Sequence, residues 1–417
     1  MRTRIGWLIP LIFAIVALLA TTSAAADVPV RKIVVFKEGV APPAKQSAVR
    51  KAGGKQLKSL KLVNAEAAEL TPASAASLAS QSDVVRIIDD RLAQEHTVDA
   101  SRATAIPGKT DDPSKNNGNN KNKDKDKDKD KDKNKKDKKN PKDQIEPWGV
   151  SRINAPEAWD VSKGQNVKVA VLDSGIDLKH PDLKVAGGVN QVQSAKSYDD
   201  DRGHGTHIAG IIAALDNGSG VVGVGPDIEL YAVKVMDKHG RGWWSDIFAG
   251  LEWCVDNGIQ VANLSFGSAE YDETYEEVIY NSYKAGVVLV ASAGNRGPGP
   301  DTVQYPARYP GVIAVSAIDP TDNIASFSSN GPHVDLAAPG VDIQSTYTGP
   351  KYQIMSGTSM AAPHVTAVAA LRMKFDPDRS PDHIAAVLKE NATKLPGLTS
   401  DQQGTGLVDA YKVVTAP

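Results

Sequence analysis

One cysteine in 417 residues rules out any disulfide within the chain. Cys254, in the run Leu251-Glu252-Trp253-Cys254-Val255, reads as a buried packing residue on a helix face rather than as a nucleophile. Stability must then come from core burial and bound ions. Charge of one sign is lacking too. The 48 Lys and Arg stand against 50 Asp and Glu, a net charge of −2, so nothing global draws the chain to nucleic acid or to a membrane surface. Long hydrophobic runs are missing after the first stretch. Residues 5–20 are apolar, follow Arg2 and Arg4, and lead to Ala24-Ala25-Ala26, the layout of a cleavable export signal over residues 1–26. The other reading is an uncleaved anchor, for which the run is short. The mature protein is expected to be secreted, with no stable membrane insertion.

What is present divides the rest of the chain into three. In residues 27–96, segments 31–36, 60–63, 66–70 and 84–88 read as strands, and 44–52 and 74–80 as helices. That β-α-β-β-α-β order predicts a small two-layer α+β, ferredoxin-like unit. Residues 97–143 change character: 121–143 alternate lysine with aspartate and asparagine and hold no apolar side chain larger than Pro141. Such a segment cannot bury enough surface to offset the entropy of ordering, so a solvated spacer is expected. Its excess of lysine leaves open a grip on an anionic surface. From Gln144 to Pro417, apolar strands (167–172, 230–235, 260–265, 287–291, 312–317) alternate with helices (204–215, 245–256, 273–285, 359–375, 383–391). The pattern predicts an α/β domain with a parallel sheet covered on both faces, in three layers. Active groups in such folds gather at the carboxyl ends of the strands.

Three glycine-rich motifs carry chemistry. Asp173 closes Val169-Ala170-Val171-Leu172-Asp173-Ser174-Gly175, where a carboxylate is held rigidly at a strand end; alone it also fits a turn or helix cap. His204 opens Gly203-His204-Gly205-Thr206-His207-Ile208-Ala209-Gly210. A metal pair with His207 is conceivable at this spacing, but the Gly-Thr between them lacks the glutamate of a zinc-peptidase motif. Ser359 lies in Gly357-Thr358-Ser359-Met360-Ala361-Ala362-Pro363, at a helix start whose N–H groups face developing negative charge. Pro363 is expected in the first turn, where its missing N–H costs nothing.

The order Asp…His…Ser is that of the subtilisin type of serine peptidase, and residues 144–417 resemble that family. The resemblance implies Ser359 as nucleophile, His204 as base and Asp173 as its orienting anion, with His207 structural. Asn295, ending Val288-Leu289-Val290-Ala291-Ser292-Ala293-Gly294-Asn295, matches the family's oxyanion donor. A secreted serine endopeptidase follows, acting on polypeptides through an acyl-enzyme, probed against two rivals: a dedicated processing peptidase and a non-catalytic binding protein of the same fold. Residues 27–96 resemble the family's inhibitory propeptide, which makes the chain a zymogen, its own segment the intramolecular inhibitor and the enzyme a monomer. An unrelated accessory domain is the other reading of that segment.

Further positions are implied by the same resemblance. Gly240, Arg241 and Gly242 form one edge for an extended substrate, and Ser265, Phe266 and Gly267 the other. Trp244 is a lid over the pocket four residues before the cut bond, or else a core residue at a helix start. Ala293, Gly294, Asn295 and Gln304 line the pocket beside the bond, with Arg296 at its mouth. Gln304 and Arg296 stand where many relatives have glycine and an acid, so a polar-tolerant pocket accepting His96 is expected. Calcium is the implied cofactor, held by Gln144, Asp182 and Asn217 and by the carbonyls of Leu215, Ser219 and Val221. A plain Asn-Gly loop is the alternative, and a second, weaker cation site is conceivable near Ala307, Tyr309, Val312 and Asp335.

Overall fold

The computed structural model describes residues 28–98 and 144–417; the export signal expected over 1–26 and nearly all of the spacer expected over 97–143 lie outside the described residues. Seven parallel strands form the main sheet, in the order Leu336–Pro339, Val312–Ile318, Val288–Ser292, Val261–Leu264, Lys168–Asp173, Glu229–Lys234, Val185–Asn190. Alternation along each strand divides its side chains between the two faces. Val169 and Val171 pack with Ile208 and Ile212 of helix His204–Ala213 and with Val365 and Val368 of helix Thr358–Met373. Ala170 and Leu172 point the other way, toward Phe248 and Leu251 of helix Trp244–Asp256 and Val278 of helix Glu273–Lys284. This is the three-layer α/β architecture expected from the sequence.

Ahead of it stands a four-stranded antiparallel sheet, in the order Lys55–Leu60, Ala65–Leu70, Val30–Phe36, Val84–Asp89. The same period of two gives it two apolar faces. Val34, Phe36, Ala68 and Leu70 pack on the unit's own helices through Val49 and Leu78. Ile33, Val35, Ala65 and Ala67 join the cluster of Phe248 and Val278 on the larger domain. A strand predicted at 60–63 is displaced: the strand is Lys55–Leu60, and residues 61–64 turn instead, with Asn64 at φ 48°. Apolar Leu62 and Val63 mimic a strand there, while Lys58 on the true strand points to Asp246 at 2.7 Å.

Among the described residues, no helix is long and apolar enough to cross a membrane. Cys254 is buried among the helix side chains, and that burial pushes its thiol well above the ordinary range.

Candidate active site

Asp173 ends its strand and His204 begins its helix, and glycine brings them together. A Cβ on Gly205 would lie 2.1 Å from the Gly175 carbonyl oxygen and 3.1 Å from the Asp173 Cβ, so no other residue lets the helix start so close to the strand end. His204 Nδ1 is 2.8 Å from both carboxylate oxygens of Asp173, and both side chains are buried. Burial opposes an imidazolium here, but the charges of Asp173 and then Glu95 outweigh it and raise His204 to about 9. Its Nε2 is buried and, among the described residues, has no hydrogen-bond partner.

The Ser359 hydroxyl does not donate to that nitrogen. It donates to the Ser265 carbonyl at 2.9 Å and accepts the His96 N–H at 3.1 Å. Helix Thr358–Met373 starts one residue earlier than expected; Pro363 is its sixth residue and would be the fifth even from Ser359, so it lies beyond the first turn. Its missing N–H leaves the Ser359 carbonyl without a helical donor. The Ser265 hydroxyl supplies one at 3.0 Å and itself accepts from Asn263 Nδ2 at 2.8 Å. The proline therefore ties the serine to the neighbouring strand rather than merely being tolerated.

Asn295 Nδ2 donates to the His96 carbonyl oxygen at 2.6 Å, and the Ser359 N–H approaches the same oxygen at 3.4 Å. The orientation of the amide is fixed, because its oxygen accepts from the N–H of Thr358 at 3.0 Å and from its hydroxyl at 2.9 Å. Gly357 leaves the space: a Cβ there would sit 2.3 Å from the His96 oxygen. Strand Leu92–Glu95 runs antiparallel between Arg241–Trp243 and Phe266–Gly267, with Ala93 opposite Gly242, Gln94 opposite Arg241 and Gly267, and Glu95 opposite Phe266. Glu95 N–H donates to the Gly240 carbonyl at 3.1 Å and His96 N–H to that of Ser265 at 3.3 Å. Past His96 the chain continues, and Val98 N–H donates to the Ser356 carbonyl at 3.0 Å. The predicted edges thus flank one extended segment of the chain itself.

Side chains of that segment settle into distinct surroundings. The His96 ring is buried, with Nδ1 2.7 Å from the Ser292 hydroxyl. Burial, aided by the charge of His204, lowers it to about 3, so the ring is neutral. Ser292 escaped the sequence reading; its signal was its place as the last residue of a strand leading into Ala293-Gly294-Asn295. Gln304 lies against Gly294, where its Oε1 would be 2.6 Å from an added Cβ. Arg296 is exposed and borders a hollow that it shares with Thr97, Val98 and Asn295 and that His96 does not line. Trp244 opens its helix fully buried, with its ring 6.5 Å from Phe248 and 5.4 Å from Tyr275. Ala93, three residues before His96, belongs to the same cluster and the Arg91 guanidinium lies 5.5 Å from the indole, so Trp244 packs with the segment at Ala93.

His207 is buried, and its Nε2 donates to the carbonyls of Ile343 at 3.1 Å and Gln353 at 3.0 Å. Burial lowers its pKa to about 3. These bonds anchor the hairpin Ile343–Tyr347 and Lys351–Met355 to the helix behind His204.

Helix His204–Ala213 stops two residues before its predicted end, and the chain leaves it through the Asn217 loop. Gln144 Nε2 contacts the carbonyls of Leu215 and Val221; Asn217 Nδ2 is 3.0 Å from one oxygen of Asp182, whose other oxygen accepts the Val221 N–H at 2.9 Å. Ser219 turns its N–H to Asn217 Oδ1 at 3.0 Å. Among the described residues, no group of three or more His, Cys, Asp or Glu could hold a metal. A site of one carboxylate with amide and carbonyl oxygens falls outside that pattern but suits a hard cation. Two carbonyls converging on one amide nitrogen mark a place for positive charge, and the amides of Gln144 and Asn217 offer oxygen when turned over. At the second candidate site, Asp335 faces Lys389 Nζ at 3.4 Å, so an ammonium group already neutralises the carboxylate.

A sequence profile described as the Subtilase family matches residues 164–406, more than half of the chain. Subtilisin BL of Lederbergia lenta is 48% identical over 268 residues, covering 64% of this chain and 98% of that protein. A thermostable alkaline protease of Halalkalibacterium halodurans is 46% identical over 270 residues, covering 64% and 73%. Subtilisin amylosacchariticus of Bacillus subtilis subsp. amylosacchariticus is 37% identical over 384 residues, 90% of this chain and 88% of its own length. With this fold and these relatives, the chain belongs to the Subtilase family and is a serine endopeptidase.

Proposed function

We propose that the protein is an exported endopeptidase made as a zymogen, whose residues 27–96 fold against the catalytic domain and lay their end through the cleft as its first substrate. One observation carries the reading: the His96 carbonyl oxygen receives Asn295 and the Ser359 N–H while the chain runs on unbroken to Val98. In this reading the Ser359 hydroxyl exchanges the Ser265 carbonyl for His204 Nε2, gives that nitrogen its proton and attacks the His96 carbonyl carbon. The oxygen takes the negative charge between its two donors, and Asp173 stabilises the imidazolium. His204 then protonates the Thr97 nitrogen as the His96–Thr97 bond breaks, leaving His96 acylated on Ser359 until water releases it. Export is supported by Arg2, Arg4, the apolar run and Ala24-Ala25-Ala26, and polypeptide substrates by the strand pairing of residues 92–95. A monomer suffices, since the cleft is completed within one chain.

His204 must be neutral to accept that proton, yet with the segment bound it keeps its charge up to about 9. Its folded value lies above the ordinary 6.5, so the His204 cation stabilises the closed form fully below the unfolded value and that contribution is lost as pH rises through about 9. Self-cleavage by the full chain should therefore accelerate from neutral pH with a midpoint near 9, the first new N-terminus should be Thr97, and Glu95→Gln should lower the midpoint. Mass spectrometry of timed samples checks all three. A first cut elsewhere, or a rate flat across that range, would overturn the reading.

We further propose that Gln144, Asp182, Asn217 and the carbonyls of Leu215, Ser219 and Val221 hold calcium, which would cross-link the chain after the linker to the loop after the His204 helix. At about a thousandfold excess over its dissociation constant, a bound ion adds about 4 kcal/mol. Chelation should then lower the melting temperature by roughly 10 °C for a domain of this size. Asp182→Ala should abolish the response to calcium; a variant that still responds fully would place the ion elsewhere.

A further inference from the structure

Arg202 sits two residues before His204, and its fork closes on Glu95, the residue before the one whose carbonyl is attacked. Nη2 is 2.6 Å from Oε1, and Nε is 3.2 and 3.4 Å from the two carboxylate oxygens. The Thr97 hydroxyl adds a bond to Oε1 at 3.0 Å. Glu95 is 7% exposed, so the carboxylate is taken out of water and depends on this partner. Burial alone would raise its pKa; the charges of His204 and Arg202 reverse that and hold it below the ordinary value.

The arrangement is built by the catalytic domain, not by the segment that fills it. Asp200 Oδ1 accepts the N–H groups of Arg202 and Gly203, each at 2.9 Å, and the Tyr347 hydroxyl donates to the Arg202 carbonyl at 3.0 Å. The backbone that carries the guanidinium is thus pinned on both sides. Room for the carboxylate comes from Gly240, where a Cβ would lie 2.5 Å from the Glu95 carboxyl. Arg202 keeps 42% exposure even with the segment bound, so a free cleft offers its charge to any extended chain. The pair of Lys58 with Asp246 at 2.7 Å belongs to the folded unit and has no counterpart in a peptide, and the Arg91–Glu270 pair lies further back along the segment.

We propose that Arg202 makes this enzyme select substrates with an acidic residue immediately before the residue whose carbonyl is attacked. The proposal rests on the reading of the cleft given above. Arg is suited to it because its planar fork meets a carboxylate at two points, which a glutamine cannot repay.

The test uses the self-processed enzyme and peptides containing Ala-Gln-Glu-His-Thr-Val, the run at residues 93–98, with Glu, Gln or Lys at its third place. Assays run above about pH 9, where His204 is neutral even beside a carboxylate, so that a substrate carboxylate does not act through the histidine's proton. The Glu peptide should exceed the Gln peptide in kcat/KM by about tenfold, with the Lys peptide lower still, and the gap should narrow as salt rises. Arg202→Gln should bring the Glu-to-Gln ratio close to one. Arg202→Glu should turn the order round in favour of Lys, a gain that an unfolded variant cannot give. Equal rates for Glu and Gln in the unmutated enzyme, or a ratio that survives Arg202→Gln, would overturn the proposal. Should casein be digested while none of the peptides is cut after histidine, the reading of the cleft itself is wrong and the proposal falls with it.

Discussion

Ser359→Ala leaves a full chain that neither cuts itself nor digests casein, with kcat lower by about 10⁶, the loss found when a subtilisin nucleophile is removed. The chemistry requires so large an effect. The hydroxyl oxygen is the atom that forms the acyl bond, and nothing else within reach of the His96 carbonyl replaces it: Thr358 is engaged with Asn295 and Ser265 with the helix. The fold should hardly notice. Ser359 is buried, alanine fits its place, and the Ser265 carbonyl that loses the hydroxyl keeps the His96 N–H at 3.3 Å. A stability change within about 1 kcal/mol is expected, by thermal melting. Casein digestion, with this variant as the control, separates the three readings. An enzyme of broad action digests casein and the variant does not; a dedicated processing peptidase cuts itself but leaves casein; a binding protein shows no difference between the two.

Much of this site was legible because subtilase chemistry stands on strand ends and helix starts, which the sequence marks with glycine. Asp173, His204, Asn295 and Ser359 each close or follow a readable strand or open a readable helix, and the structure brings them to one end of the sheet. Strands with little apolar content were not legible. Val185–Asn190 carries Gly187 and Gly188, because the Tyr231 ring and the Ala232 carbonyl approach its backbone. Leu336–Pro339 and the hairpin Ile343–Met355 are short or polar and take their form from neighbours far away in sequence.

Specificity was harder to read than catalysis for a related reason. Ser292 and Arg202 matter through what lies opposite them in the cleft, His96 and Glu95, more than a hundred residues earlier. No periodicity announces such a pair. Pro363 shows the opposite failure: its place in a helix was visible, but the use of the freed carbonyl by Ser265 needed the fold.

Asn295→Ala should cost about 10²–10³ in kcat, the size found for the matching donor in a subtilisin, with KM nearly unchanged. The split follows from where the contacts lie. Binding of an extended chain is spread over backbone pairing with Gly240, Ser265 and the strands around them, so losing the one Asn295 contact to the His96 carbonyl changes it little. The amide matters most when the His96-type oxygen gains full negative charge, since the second donor, Ser359 N–H, stands off at 3.4 Å. Alanine also strips two acceptor contacts from Thr358, so a stability loss of about 1–3 kcal/mol accompanies it. Asn295→Asp separates the two effects. A carboxylate still accepts from Thr358, keeping the helix start in place, but sets a negative charge against the oxyanion. Its kcat should fall at least as far as that of the alanine variant while its melting temperature stays nearer the parent. If instead KM rises with kcat unchanged, or if the aspartate variant turns over faster than the alanine one, Asn295 holds the helix start and does not bind the developing charge.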